Sequence, residues 1–212
     1  MDQLYKSVEV NIFNVAERSF DSGFTKDKKG FSITGQYLLG KKVFLTSSMA
    51  SYRVELEFKP KPHSNISGDV INRGIDVKTG VGYRYRYMTY FFGRKAKEVE
   101  LTIEGSGIFK QPYQSATYAS EYEEITQSRF GYEYIAKFKR SVVGGDGAGK
   151  VKIKALLEVG VGGLFMNDSL GQLIVISSAR FPTRIIDNLF IAANFRHNGD
   201  DISLDFGLLY AF

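Results

Sequence analysis

Apolar and polar residues alternate along almost the whole chain. Residues 77–91 put Val77, Thr79, Val81, Tyr83, Tyr85 and Tyr87 at one parity and Lys78, Gly80, Gly82, Arg84 and Arg86 at the other. A repeat of two sends successive side chains to opposite faces of an extended chain, so this segment predicts a β-strand. The same pattern sets Val8, Val10 and Ile12 against Glu9 and Asn11, and Phe31, Ile33, Tyr37 and Leu39 against Ser32, Thr34 and Gln36. It sets Tyr52, Val54, Leu56 and Phe58 against Arg53, Glu55 and Glu57, and Val99, Leu101 and Ile103 against Glu98, Glu100, Thr102 and Glu104. Further along, Phe130, Tyr132, Tyr134 and Phe138 oppose Arg129, Glu133, Lys137 and Lys139, and the apolar positions of 151–161 oppose Lys152, Lys154 and Glu158. No stretch sustains a 3.6-residue period, so the chain reads as all-β.

This pattern predicts about ten strands, with 8–12 the range it allows, at roughly 4–15, 30–39, 43–59, 75–92, 96–110, 127–141, 150–165, 171–181, 185–197 and 201–212. The whole of 1–212 forms one domain. Connections alternate between short, at 40–42 and 93–95, and long, at 16–29, 60–74 and 111–126. The second half departs from that rhythm, because 142–149 is long for a turn and 166–170 short for an outer loop. Several strands reach about 15 residues, against the ~5–6 usual in globular sheets. Strands of that length suit a tilted crossing of a bilayer.

With 212 residues, 43% of them hydrophobic, the chain can bury a core without covalent staples. It contains no cysteine, which excludes disulfides, thiolate metal sites and cysteine nucleophiles. Its two histidines, His63 and His197, leave little for a histidine-based metal site, and no cofactor is expected. No apolar run approaches the ~18 residues of a spanning helix, which leaves open a barrel that crosses with strands. Residues 1–15 lack the basic and apolar regions of a secretory signal, so the chain reads either as cytoplasmic or as a mature sequence bearing a start Met.

Alternation alone does not say which face is inside. In a soluble barrel the apolar face turns inward, and in a membrane barrel the order is inverted. Long strands and aromatic residues toward strand ends favour inversion. So does the C-terminal run from Asp205 to Phe212, in which Ile202, Leu204, Phe206, Leu208, Tyr210 and Phe212 share a face. Asp205, Gly207, Tyr210 and Phe212 fall where a polar residue, a glycine and two aromatics stand in the β-signal of bacterial outer-membrane proteins, which this segment resembles. The resemblance spans eight residues and names no subfamily. It implies an antiparallel up-and-down transmembrane barrel in a Gram-negative outer membrane, both termini periplasmic, inserted by the barrel-assembly machinery.

Under that inversion the charged parity lines the lumen. Arg53, Glu55, Glu57, Arg84, Arg86, Glu98, Glu100, Glu104, Arg129, Glu133, Lys137, Lys139, Lys152, Lys154 and Glu158 then form acidic and basic rows on neighbouring strands. Opposite charges across a pair of strands attract, and more so in a narrow lumen. The expectation is an ion-paired plug, with a structural or surface-interacting role or a narrow gated route for small solutes. The wall at 171–195 is less polar, with Ile174, Ile176, Phe190 and Ala192 inward, which reads as packing or as a small apolar pocket. Lys26, Lys28, Lys29, Lys59 and Lys61 fall in predicted outer loops, where lipopolysaccharide phosphates are the nearest anions. A monomer in contact with membrane lipid is the expected state.

Other motifs weigh less. Residues 144–150 match G-x-x-x-x-G-K, but Val151 stands where a metal-binding hydroxyl belongs, and a strand pattern follows where the phosphate loop needs a helix. The Tyr-Arg alternation of 83–87 would suit nucleic acid only if both residue types shared a face, which a strand forbids; no nucleic-acid partner is expected. His63 with Ser64, and His197 with Asp200 or Asp201, offer the parts of an outer-membrane hydrolase site at the rim, although no spacing matches a catalytic motif. A soluble lipocalin-like binder is the third alternative.

Overall fold

The computed structural model describes residues 5–18, 24–58, 70–89, 97–116, 128–145, 151–167, 169–183, 185–198 and 201–212. These make ten strands: β1 Lys6–Arg18, β2 Phe24–Leu38, β3 Val43–Phe58, β4 Val70–Thr89, β5 Lys97–Ala116, β6 Arg129–Gly145, β7 Val151–Met166, β8 Ser169–Pro182, β9 Leu189–Asn198 and β10 Asp201–Ala211. Each pairs antiparallel with its sequence neighbours, and β1 pairs with β10 to close the barrel. Closure removes every sheet edge, so all ladder hydrogen bonds are made within the wall, as a bilayer demands.

The exterior is the apolar parity. Val81, Tyr85 and Phe130 are 51%, 54% and 59% exposed, whereas Arg84 is 4% exposed and Glu100 is fully buried. Ile12, Ile103, Val161, Leu173 and Phe206 are likewise exposed on the outer face, and Glu9, Glu133 and Glu158 are buried within. Water would penalise such a surface, whereas acyl chains match it. The barrel is therefore of the membrane-spanning kind, and the soluble lipocalin-like alternative falls.

Every predicted strand exists, and the differences lie at strand ends. β2 begins at Phe24 instead of 30, β4 at Val70 instead of 75, and β5 runs on to Ala116. Tertiary pairing carries these ends beyond the segment where alternation is clean: Thr25 still opposes Glu57, and Ile71 opposes Ala116. β9 starts later than expected, at Leu189. Ile185 and Ile186, which read as strand, lie exposed in a turn held by Thr183, whose Oγ1 donates to the Ile186 carbonyl at 2.9 Å. Asn188 takes a left-handed φ of 62° to end that turn.

Strand lengths are uneven. β4 and β5 have 20 residues each, β9 has 10 and β10 has 11. The end that carries Tyr5 and Phe212 is termed the base and the other the mouth. At the base the Phe212 N–H donates to the Lys6 carbonyl at 2.8 Å and the Ala211 N–H to Asn188 at 3.0 Å, which ties the last residues into the seam.

Candidate functional site in the barrel lumen

Above the base a tyrosine from outside the strands enters the lumen. Tyr5 precedes β1, is almost wholly buried, and donates its hydroxyl hydrogen bond to Glu100 on β5. Arg86 Nε donates to the other Glu100 oxygen at 2.7 Å, and Arg84 reaches the same oxygen at 3.7 Å. The Tyr5 ring packs on Phe44 with centroids 4.7 Å apart, and the Arg84 guanidinium lies 4.7 Å from its centre. Lys139 Nζ stands 4.6 Å from the ring centre and donates to the Tyr5 oxygen at 3.1 Å. Gly82 makes this possible: a Cβ there would meet the Phe44 ring at 2.2 Å. Arg84 is anchored by its Nε bond to the Lys41 carbonyl at 3.0 Å, in the turn between β2 and β3.

A second layer of ion pairs crosses the middle. Lys137 pairs with Glu104 at 2.6 Å, Lys139 with Glu158 at 3.3 Å and Arg180 with Glu9 at 3.0 Å. Glu9 also accepts from Asn11 at 2.9 Å and from Asn194 at 2.8 Å. Nearer the mouth, Glu133 is held between Lys78 and Arg196, and Lys28 pairs with Asp76 at 2.8 Å while lying 3.8 Å above the Tyr52 ring centre. Buried charges persist in a low-dielectric interior only when paired in this way.

Beside these pairs a cavity of about 290 Å³ remains. Its β1–β3 wall carries the uncharged Ser7, Asn11, Ser32, Thr34, Gln36, Thr46 and Ser48 with one charge, Glu9, among them, and the wall facing it carries Glu104, Lys137, Lys139, Glu158 and Arg180. Toward the mouth, Ile135, Leu164 and Ile174 are buried together, with Ile108, Met166 and Ile176 against them. Ile174 and Ala192 are inward and fully buried, so the less polar wall is packed and does not open as an apolar pocket there.

The structure brings together Arg84, Arg86, Glu100, Glu104, Glu133, Lys137, Lys139 and Glu158 as lumen groups. Arg129 lies at the inward parity of β6, and the side chain of Glu98 lies outside the described residues. Arg53 corrects the expectation: it continues the parity of Val43, Leu45 and Met49, which is the outer face, and is exposed, while the side chains of Glu55 and Glu57 lie outside the described residues. The apolar parity of β3 switches between Met49 and Tyr52, so reading the second half alone put Arg53 inside. The side chains of Lys152 and Lys154 lie outside the described residues.

Lys26, Lys28 and Lys29 lie in β2 and not in a loop, and Lys28 turns into the lumen; Lys59 and Lys61 lie outside the described residues. His63, Ser64 and Asp200 are also outside them. His197 sits in β9 opposite Ile202 at the outward parity, away from the lumen carboxylates. Residues 151–166 are strand, so no helix follows the 144–150 motif.

Sequence reading missed Tyr5, Asp76, Lys78, Arg180 and Arg196. Lys78 shares the parity of Arg84 and Arg86, which was a usable signal; Arg180 and Arg196 stood alone in apolar strands. Tyr5 shares the parity of Ser7 and Glu9 at the start of the predicted strand 4–15, but as an aromatic it lacked the polar mark of the inward face.

No family model matches the chain, and no curated protein does. Among solved structures it is similar to the β domain of the Bordetella autotransporter BrkA, at 10% identity over 97% of this chain and 99% of that one, TM-score 0.49. The translocator domain of the autotransporter NalP from Neisseria meningitidis aligns at 9% identity over 97% and 87%, TM-score 0.48. A KdgM porin aligns at 8% over 97% and 99%, TM-score 0.44.

Proposed function

We propose that the chain is an integral barrel of a bacterial outer membrane whose lumen is held shut by its own ion pairs. It acts as a structural, surface-facing element, with a narrow gated route for small solutes as the most its interior allows. The observation that carries this reading is the base seal, in which Tyr5, Arg84 and Arg86 converge on the buried Glu100 while Phe44 and Lys139 close on Tyr5. The apolar exterior and the Asp205, Gly207, Tyr210, Phe212 pattern support the compartment.

Single-channel recording in planar bilayers tests the seal. The refolded protein gives conductance far below that of a general porin, and Tyr5→Ala raises it; porin-level conductance of the unaltered protein refutes the reading. The terminal strand is the segment the assembly machinery reads, and the barrel functions as a monomer. Lys26, Lys29, Lys59 and Lys61 contact lipopolysaccharide phosphates, an attraction that salt screens. Equal affinity for membranes with and without that lipid removes this last part.

A further inference from the structure

We infer that the lumen cavity is a binding site for a small uncharged polyhydroxylated solute, of the size of a single sugar ring. This deepens the membrane-barrel reading and rests on it. The two walls of the cavity differ in kind. Asn11, Ser32, Thr34, Thr46 and Ser48 present hydroxyl and amide groups, each both donor and acceptor, from three adjacent strands. The charges facing them are paired, Lys137 with Glu104 and Lys139 with Glu158, while Arg180 reaches across to Glu9 on β1.

A charged ligand must compete for a partner already engaged, and breaking a buried pair strands the other charge. A neutral polyol faces no such competition. One acceptor in this wall is unsatisfied: Glu104 is 4% exposed, its Oε2 takes Lys137, and its buried Oε1 has no hydrogen-bond partner among the described residues. An O–H donated there, with further hydroxyls bonded to the β2 and β3 side chains, spans the cavity from wall to wall. The space of about 290 Å³ is many times the ~10–15 Å³ that admits one water, and so has room for one ring.

The test is equilibrium dialysis of the full chain refolded in lipid vesicles against labelled glucose, with glucuronate and glucosamine as charged counterparts of the same ring. Saturable glucose binding is expected, with both charged rings at least about tenfold weaker, since one lost hydrogen bond to a buried group has that effect. Glu104→Gln and the double variant Thr34→Val, Ser48→Ala each weaken glucose binding, and the second leaves every ion pair in place should the first fail to fold. Absence of glucose binding, equal binding of the charged rings, or no response to the double variant overturns the assignment. Heat-modifiable gel migration of the same sample reads membrane insertion separately, so a barrel that inserts and binds no glucose refutes the cavity site alone.

Discussion

Glu133 has two cations against it and almost no water, so its removal leaves Lys78 and Arg196 facing one another. Glu133→Ala should destabilise the barrel by about 3–5 kcal/mol, the cost of leaving buried charge uncompensated; urea titration of the refolded protein in vesicles measures it. Gly82 acts sterically instead. Gly82→Ala places a methyl within the Phe44 ring, displaces Phe44 from Tyr5, and should raise bilayer conductance without loss of heat-modifiable migration. At this scale the sequence was informative where a charge sat within strict alternation, as for Arg84, Glu100 and Glu158. It was silent on Tyr5, which continues the inward parity of Ser7, Glu9 and Asn11 but carries an aromatic ring where that face is otherwise marked by polar residues.

β3 shows why an element must be read over its full length. Its first half has apolar residues at odd positions and its second half at even positions, and the backbone continues through the change without a bulge in its pairing to β2 or β4. The environment changes, not the strand. Where acyl chains end, charges become acceptable outside, and Arg53 is exposed there. The expected consequence is a position-dependent penalty: Val161→Arg, on the lipid face at the middle of β7, should cost about 2–4 kcal/mol, while Arg53→Lys should cost almost nothing. Equal penalties in the same titration would place the apolar belt wrongly. β10 adds a separate expectation. Gly207 abuts the Val10 carbonyl and Asn11, with a Cβ contact of 2.1 Å to each, so Gly207→Val should disturb the β1–β10 seam and lower the folded yield seen on gels.

For the whole molecule, repeated alternation was enough to read a barrel of about ten strands, because one physical rule governs every strand, and the inversion was legible only from strand length, aromatic placement and the Asp205–Phe212 pattern. Which cation meets which anion was not readable, since partners such as Glu9 and Arg180 are 171 positions apart and meet only after closure. The refolded chain should migrate faster unheated than boiled, and migration unchanged by boiling would oppose a lipid-embedded cylinder. The parity switch in β3 has one more consequence. Met49 and Arg53 lie four positions apart, roughly 13 Å of strand, so sinking the barrel drags a guanidinium into oil and lifting it wets a thioether. The protein thus carries its own depth mark, and it should favour lipids of one chain length over thinner or thicker ones, a preference that hydrophobic mismatch turns into sorting.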